Sequence, residues 1–132
     1  MSTTIPTGTK VIALGPELID QDLWADNDLT WWTNHDICWS GDGTKIICDG
    51  GTGELYKRNQ LVVGRTYRWE ISLTRVSGSV NFYCGLWPEF RTIYYNANNE
   101  VYYPVANSHY IYIWSSSFVG TITYLSVREV LS

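Results

Sequence analysis

The side chains of this chain that could do chemistry are mostly rings. Seven tryptophans and ten tyrosines occur in 132 residues, and several stand together: Tyr94-Tyr95, Tyr102-Tyr103, and Trp87 directly after an apolar run. Neighbouring residues on a strand point to opposite faces, so one tyrosine of each pair must face away from the core. An exposed ring offers a wide, rigid contact area at little entropic cost. Trp87, Tyr94 or Tyr95, and Tyr102 or Tyr103 therefore form a candidate platform for a ligand or an interface. The competing reading packs the same rings between sheets or subunits, because aromatics are equally enriched in protein interfaces.

Carboxylates give a second cluster. Asp20, Asp22, Asp26 and Asp28 crowd one stretch, and closely spaced hard oxygen ligands suit Ca²⁺. The stretch lacks the central glycine and terminal glutamate of an EF-hand, and a solvated acidic loop is the preferred reading. No other cofactor is implied. Catalysis has little to stand on. His35 and His109 share no metal-ligand spacing, no GxSxG elbow occurs, and Glu70, Glu89 and Glu100 are the candidates for a glycosidase-type carboxylate pair. Glu70 fits the solvent face of its strand better. No catalytic residue is assigned, and the chain is not expected to be an enzyme. Cys38, Cys48 and Cys84 are odd in number and lack CxxC spacing, which argues against a disulfide framework or zinc site. They read as buried thiols; a Cys38–Cys48 bridge across a hairpin stays open for a chain that matures outside the cell.

Composition narrows the partners. Nine basic against thirteen acidic residues give a net charge of -4 and no basic patch beyond Lys57-Arg58, so the charge neutralisation that nucleic acid demands is missing. No apolar run is long enough to span a bilayer. The N-terminal stretch lacks the ordered regions of a signal peptide, so synthesis and folding in a cytosol are expected. At this length one domain is expected, with a core that needs no staple.

The elements that must position the rings are short strands. Residues 1–9 are small and polar and read as a flexible arm, with a single domain over 10–132. Lys10–Leu14 reads as a strand ended by Gly15-Pro16. Leu29–Thr33, Ile37–Trp39, Thr44–Asp49 and Leu55–Gln60 read as further strands. From Thr66 to Arg75, Tyr67, Trp69, Ile71 and Leu73 alternate with Arg68, Glu70, Ser72 and Thr74, a period of two with one buried face. Ser77-Gly78 is expected to turn the chain into Ser79–Leu86, where Val80, Phe82, Cys84 and Leu86 share a face. Ile93–Tyr95 and Val101–Tyr103 read as a hairpin around Asn96–Asn99. Tyr110–Trp114 and Phe118–Val130 read as two strands joined by a tight turn at Ser115–Ser117. Ile122, Leu125 and Val127 fit one face only if a bulge falls near Thr123-Tyr124. Ile113 completes the expected core. Many short strands with glycine-rich turns indicate an all-β antiparallel sandwich.

Three stretches taken together resemble a known group. GPELI at Gly15–Ile19 precedes the acidic loop and Trp31-Trp32, LVVGRTYRWEISL runs from Leu61 to Leu73, and FVGTITYLSVREV closes at Val130. This order resembles the carbohydrate-binding-module-like, galactose-binding-like jelly-roll domains of bacteriophage virion proteins. The resemblance implies a jelly roll acting as a capsid decoration or a tail or fibre component. It further implies other virion proteins as partners, a homo-oligomer, and location in the virion after synthesis in the host cytoplasm. The alternative it implies is a glycan-binding module that attaches particles to a host surface. A chain that starts at Met1 with one such domain fits a free-standing accessory protein. The group's closing motif often carries Asp-Asn where this chain has Thr123-Tyr124.

Overall fold

Alternation this long needs a partner of equal length, and the chain supplies one. The computed structural model describes residues 12–131. Its strands are β1 (Leu14–Glu17), β2 (Asn34–His35), β3 (Trp39–Gly41), β4 (Ile46–Asp49), β5 (Gly53–Lys57), β6 (Tyr67–Cys84), β7 (Phe90–Ile93), β8 (Ala97–Tyr102) and β9 (Ile111–Val130). No helix occurs among the described residues. The arm expected over residues 1–9 and the start of the strand expected at Lys10 lie outside them.

Strands β6 and β9 form an antiparallel spine, paired from Tyr67↔Glu129 to Cys84↔Ile111. Along the other edge of β6 lie β8, opposite Trp69–Leu73, and β7, opposite Val80–Tyr83. Along the other edge of β9 lie β1, β4 and β5, with β3 added to β4 and β2 to β5. The spine bends midway and folds its two halves over one core. Trp69 from one half meets Phe82 from the other with ring centroids 6.5 Å apart. The result is an all-β antiparallel sandwich, nearly closed, consistent with a jelly roll.

Two expected turns are bends inside continuous strands. Ser77-Gly78 does not reverse the chain, and neither does Ser115–Ser117. Gly78 (φ 71°) and Ser117 (φ 55°) adopt left-handed backbone opposite one another, and the register slips there. The strands kink together and stay paired because each offers the other an unbroken edge. Ser115, fully buried, fastens the kink. Its Oγ donates to the Gly51 carbonyl (2.6 Å) and accepts from the Phe118 amide (3.0 Å) and the Cys48 thiol (3.2 Å). The kink also flips which residues face inward: Ile111 and Ile113 before it, Phe118 and Ile122 after it. A second flip follows at the expected bulge. Ser72 pairs with Tyr124 and Leu73 with Ile122, leaving Thr123 as the extra residue, and Leu125 and Val127 return to the core.

Other boundaries move for local reasons. Gly15-Pro16 lies inside β1, which tolerates proline because it is an edge strand with irregular register. The Glu17 carboxylate stands in as a ladder acceptor there, taking the Val127 amide (2.8 Å) and the Ser126 hydroxyl. Leu29–Thr33 is turn rather than strand, tied by Trp32 N–H to Leu29 O. Strand β4 starts only at Ile46 because the Asp42 carboxylate holds the amides of Thr44 and Lys45 in a turn. Ile93–Tyr95 and Val101–Tyr103 do not form a hairpin. Strands β7 and β8 each pair with β6 and not with each other, one on each half of the sandwich. Side chains bridge them instead: Arg91 pairs with Glu100 (3.0 Å) and lies over the Tyr102 ring (5.1 Å).

Candidate functional site

One face of the sandwich is tiled with rings. Phe82, Cys84, Ile111, Ile113 and Leu55 turn inward to the core. Their neighbours Tyr83, Tyr112, Trp114 and Tyr56 must then turn outward. Register lines these outward residues up across four strands: Phe90 opposite Tyr83, Tyr83 opposite Tyr112, and Tyr112 opposite Tyr56. The rings touch in sequence. Phe90–Tyr83 centroids lie 5.1 Å apart, Tyr83–Tyr112 5.4 Å edge to face, and Tyr112–Tyr56 5.7 Å stacked at 6°. Tyr110 abuts Tyr56 at 5.6 Å and His109 lies against Tyr110 at 4.2 Å.

The β6–β7 connection rises beside this tile. Gly85 (φ 107°) turns the chain sharply after Cys84. Leu86 therefore leaves the inward face it was expected to share with Val80, Phe82 and Cys84, and is exposed. Trp87 follows it, 74% exposed. Leu86, Trp87, Tyr83, Tyr112 and Trp114 together line a cleft of about 280 Å³.

A second row brings polar groups beside the rings: Thr92 opposite Asn81, Asn81 opposite Trp114, and Trp114 opposite Glu54. Thr92 Oγ1 donates to Asn81 Oδ1 (2.6 Å), which leaves the Asn81 amide nitrogen as a donor on this face. The Tyr112 hydroxyl donates to the Glu54 carboxylate. Burial first, and then this bond, raise the Tyr112 pKa above its ordinary value. This cleft-lining ring is thus neutral and held by its hydroxyl.

The residues singled out in the sequence are divided by the fold. Trp87 belongs to the cleft. Tyr94 and Tyr95 lie on the β7–β8 connection, 64% and 37% exposed, in edge-to-face contact with each other, and the Tyr95 hydroxyl donates to Glu100 (2.5 Å). Tyr102 turns inward against Trp69 at 5.8 Å, and burial holds its phenol well above the ordinary pKa. Tyr103 is 47% exposed beside the other half of β6, as the pairing of Trp69 with Tyr102 requires. Neither pair lines the cleft. Tyr56, Tyr83, Tyr112 and Trp114 were missed as site residues. Their signal was the outward phase of their strands.

The acidic loop does not gather its carboxylates. Asp20 Oδ1 accepts the amides of Asp22 and Leu23 (3.0 Å each), and Asp26 Oδ1 accepts that of Thr30 (2.9 Å). Asp22 and Asp28 complete no site with them: among the described residues no three His, Cys, Asp or Glu side chains are grouped to hold a metal ion. The loop instead carries buried Trp24, Leu29 and Trp32 into the core, with Trp32 Nε1 donating to the Trp24 carbonyl (2.7 Å). The three cysteines are free and buried, and burial pushes the Cys38 and Cys84 thiols up to about 12.

Strand pairing and core together define the class as an all-β antiparallel sandwich of jelly-roll type. No family model matches the chain. No curated protein matches it. Among solved structures it is similar to a chain described as "BiXyn10A CBM1 APO", at 15% identity and a TM-score of 0.45, over 94% of this chain and 91% of that one.

Proposed function

We propose that this chain is a non-catalytic glycan-binding module that holds sugar rings against the Tyr83–Trp87–Tyr112–Trp114 cleft. The observation that carries the reading is the cleft itself, four aromatic side chains around one concavity with polar groups in the adjoining row. Pyranose rings present C–H faces that stack on aromatic rings, while their hydroxyls need hydrogen-bond partners at the edge. Asn81 and Glu54 flank Trp114 and meet that need. A cleft with few convergent polar groups on an otherwise apolar lining is the usual form of a small-molecule site. The sequence resemblance to carbohydrate-binding-like jelly rolls supports the same ligand class. A virion setting, with other virion proteins as partners and a homo-oligomeric state, is proposed on that resemblance alone; light scattering and co-sedimentation with particles test it.

The test of the glycan reading is a glycan array followed by calorimetry on Trp87→Ala. Trp87 is exposed, so its removal should leave folding intact. Loss of a central tryptophan contact should weaken binding by about 2 kcal/mol, roughly 30-fold. Tyr94→Ala should leave affinity unchanged. An array on which the folded chain binds no glycan would overturn the reading.

A further inference from the structure

The Trp87 side chain lines the cleft and is largely exposed. It makes no hydrogen bond and no ring contact among the described residues, and it sits on a short connection between β6 and β7. Something else must decide where this ring stands. The connection is held from outside by Asn107, on the segment that leads into β9.

The Asn107 side chain treats Leu86 as one strand treats another. Its Oδ1 accepts the Leu86 amide (2.7 Å) and its Nδ2 donates to the Leu86 carbonyl (2.9 Å). Both backbone groups of the residue before Trp87 are thereby satisfied by one side chain. The fit is close, since a Cβ placed on Gly85 would meet Asn107 Oδ1 at 2.2 Å. Asn107 is fixed in turn, its own amide donating to the Cys84 carbonyl (3.3 Å). Gly85 donates to the Tyr110 carbonyl (2.9 Å), and the Leu86 carbonyl also takes the Glu89 amide (3.0 Å).

Resting on the glycan reading above, we propose that Asn107 is a positioning residue for ligand binding. It touches no ligand, and it acts by holding the Leu86–Trp87 backbone so that the Trp87 ring stands ready over the cleft. Fixing a side chain before binding removes an ordering cost that would otherwise be charged against affinity. For one rotamer-rich ring and its loop, that cost is roughly fivefold in Kd. Asparagine suits the task because it offers a donor and an acceptor in one plane. Aspartate keeps the acceptor and loses the donor; alanine loses both.

The test is a double-mutant cycle on the full chain, with cellohexaose, xylohexaose and mannohexaose as titrants. Thermal melts confirm that each variant is folded at the titration temperature. Asn107→Ala should weaken binding roughly fivefold and Asn107→Asp by less, while Asn107→Ala added to Trp87→Ala should cost nothing further. In parallel, ¹⁹F NMR of the unliganded protein carrying 5-fluorotryptophan should show the Trp87 resonance, assigned by its loss in Trp87→Ala, move toward a free-indole shift in Asn107→Ala. Unchanged affinity in Asn107→Ala overturns the inference and leaves the glycan reading standing. So does an equal loss with and without Trp87. If wild type binds none of the three sugars, the glycan reading fails for these titrants and the binding role of Asn107 is overturned with it. The ¹⁹F signal then shows whether Asn107 is only a loop anchor.

Discussion

Gly78→Ala should be among the most damaging single-methyl additions available to this chain. Gly78 sits where the β6–β9 spine bends, at φ 71°. A residue with a Cβ pays about 1–2 kcal/mol to hold left-handed backbone. It would also have no room, since the added Cβ falls 2.0 Å from the Ser117 carbonyl oxygen and 2.7 Å from the Phe118 nitrogen. Both are backbone atoms of the facing strand, so relief requires the strands to separate. Overpacking of this kind costs about 1–3 kcal/mol. The sum is about 3 kcal/mol, which for a domain of this size lowers the melting temperature by roughly 10 °C. Gly43→Ala is the internal control: φ is 99° there, and a Cβ would meet nothing within 4 Å. It should pay only the conformational part, about 1 kcal/mol. Urea melts followed by tryptophan fluorescence measure both. Equal losses in the two variants would refute the idea that a tightly opposed bend folds one continuous spine over the core.

The double tyrosines should separate sharply. Tyr102→Ala removes a ring packed on Trp69 and should cost about 3 kcal/mol, whereas exposed Tyr94→Ala and Tyr103→Ala should each stay within about 0.5 kcal/mol in the same melts. Stability should also fall in alkali. The Cys84 thiol is held at about 12 in the fold against an ordinary 9.0. Its protonated form therefore favours the fold fully below pH 9, and that contribution is lost as pH rises toward 12. Urea melts at pH 8 and pH 11 should show a smaller drop in Cys84→Ala than in wild type; an equal drop would remove Cys84 as a cause. Native Cys84 should react slowly with a thiol reagent at pH 8 and promptly in denaturant.

Much of the core could be read from alternation alone. Tyr67, Trp69, Ile71, Leu73, Val80, Phe82, Cys84, Ile113, Ile122, Leu125 and Val127 are all buried. The bulge at Thr123 was legible because three apolar residues broke phase. The bends were not, since serine and glycine serve a reversal and a kink equally well. Only the facing strand decides, and it lies far away in sequence. Ile93–Tyr103 imitated a hairpin for a related reason: two strands flanking an asparagine turn look the same whether they pair with each other or with a third. Trp87 was legible as an exposed ring after a strand. Its companions were not, because the row through Phe90, Tyr83, Tyr112 and Tyr56 exists only in the registers of β7, β6, β9 and β5. Local pattern gives each ring a face and cannot give it a neighbour.

The cleft is tested most directly by titrating oligosaccharides into ¹⁵N-labelled protein and following the tryptophan indole signals. Strand register sets Tyr83, Tyr112 and Trp114 side by side, and the β6–β7 connection brings Trp87 beside them, so these rings should respond together. The Trp87 and Trp114 indole N–H resonances should shift with a common Kd, and those of buried Trp39 and Trp69 should stay still. Saturable shifts confined to the amides of Tyr94, Tyr95 or Tyr103, with Trp87 and Trp114 unmoved, would place sugar binding on another surface and contradict the assignment of the cleft.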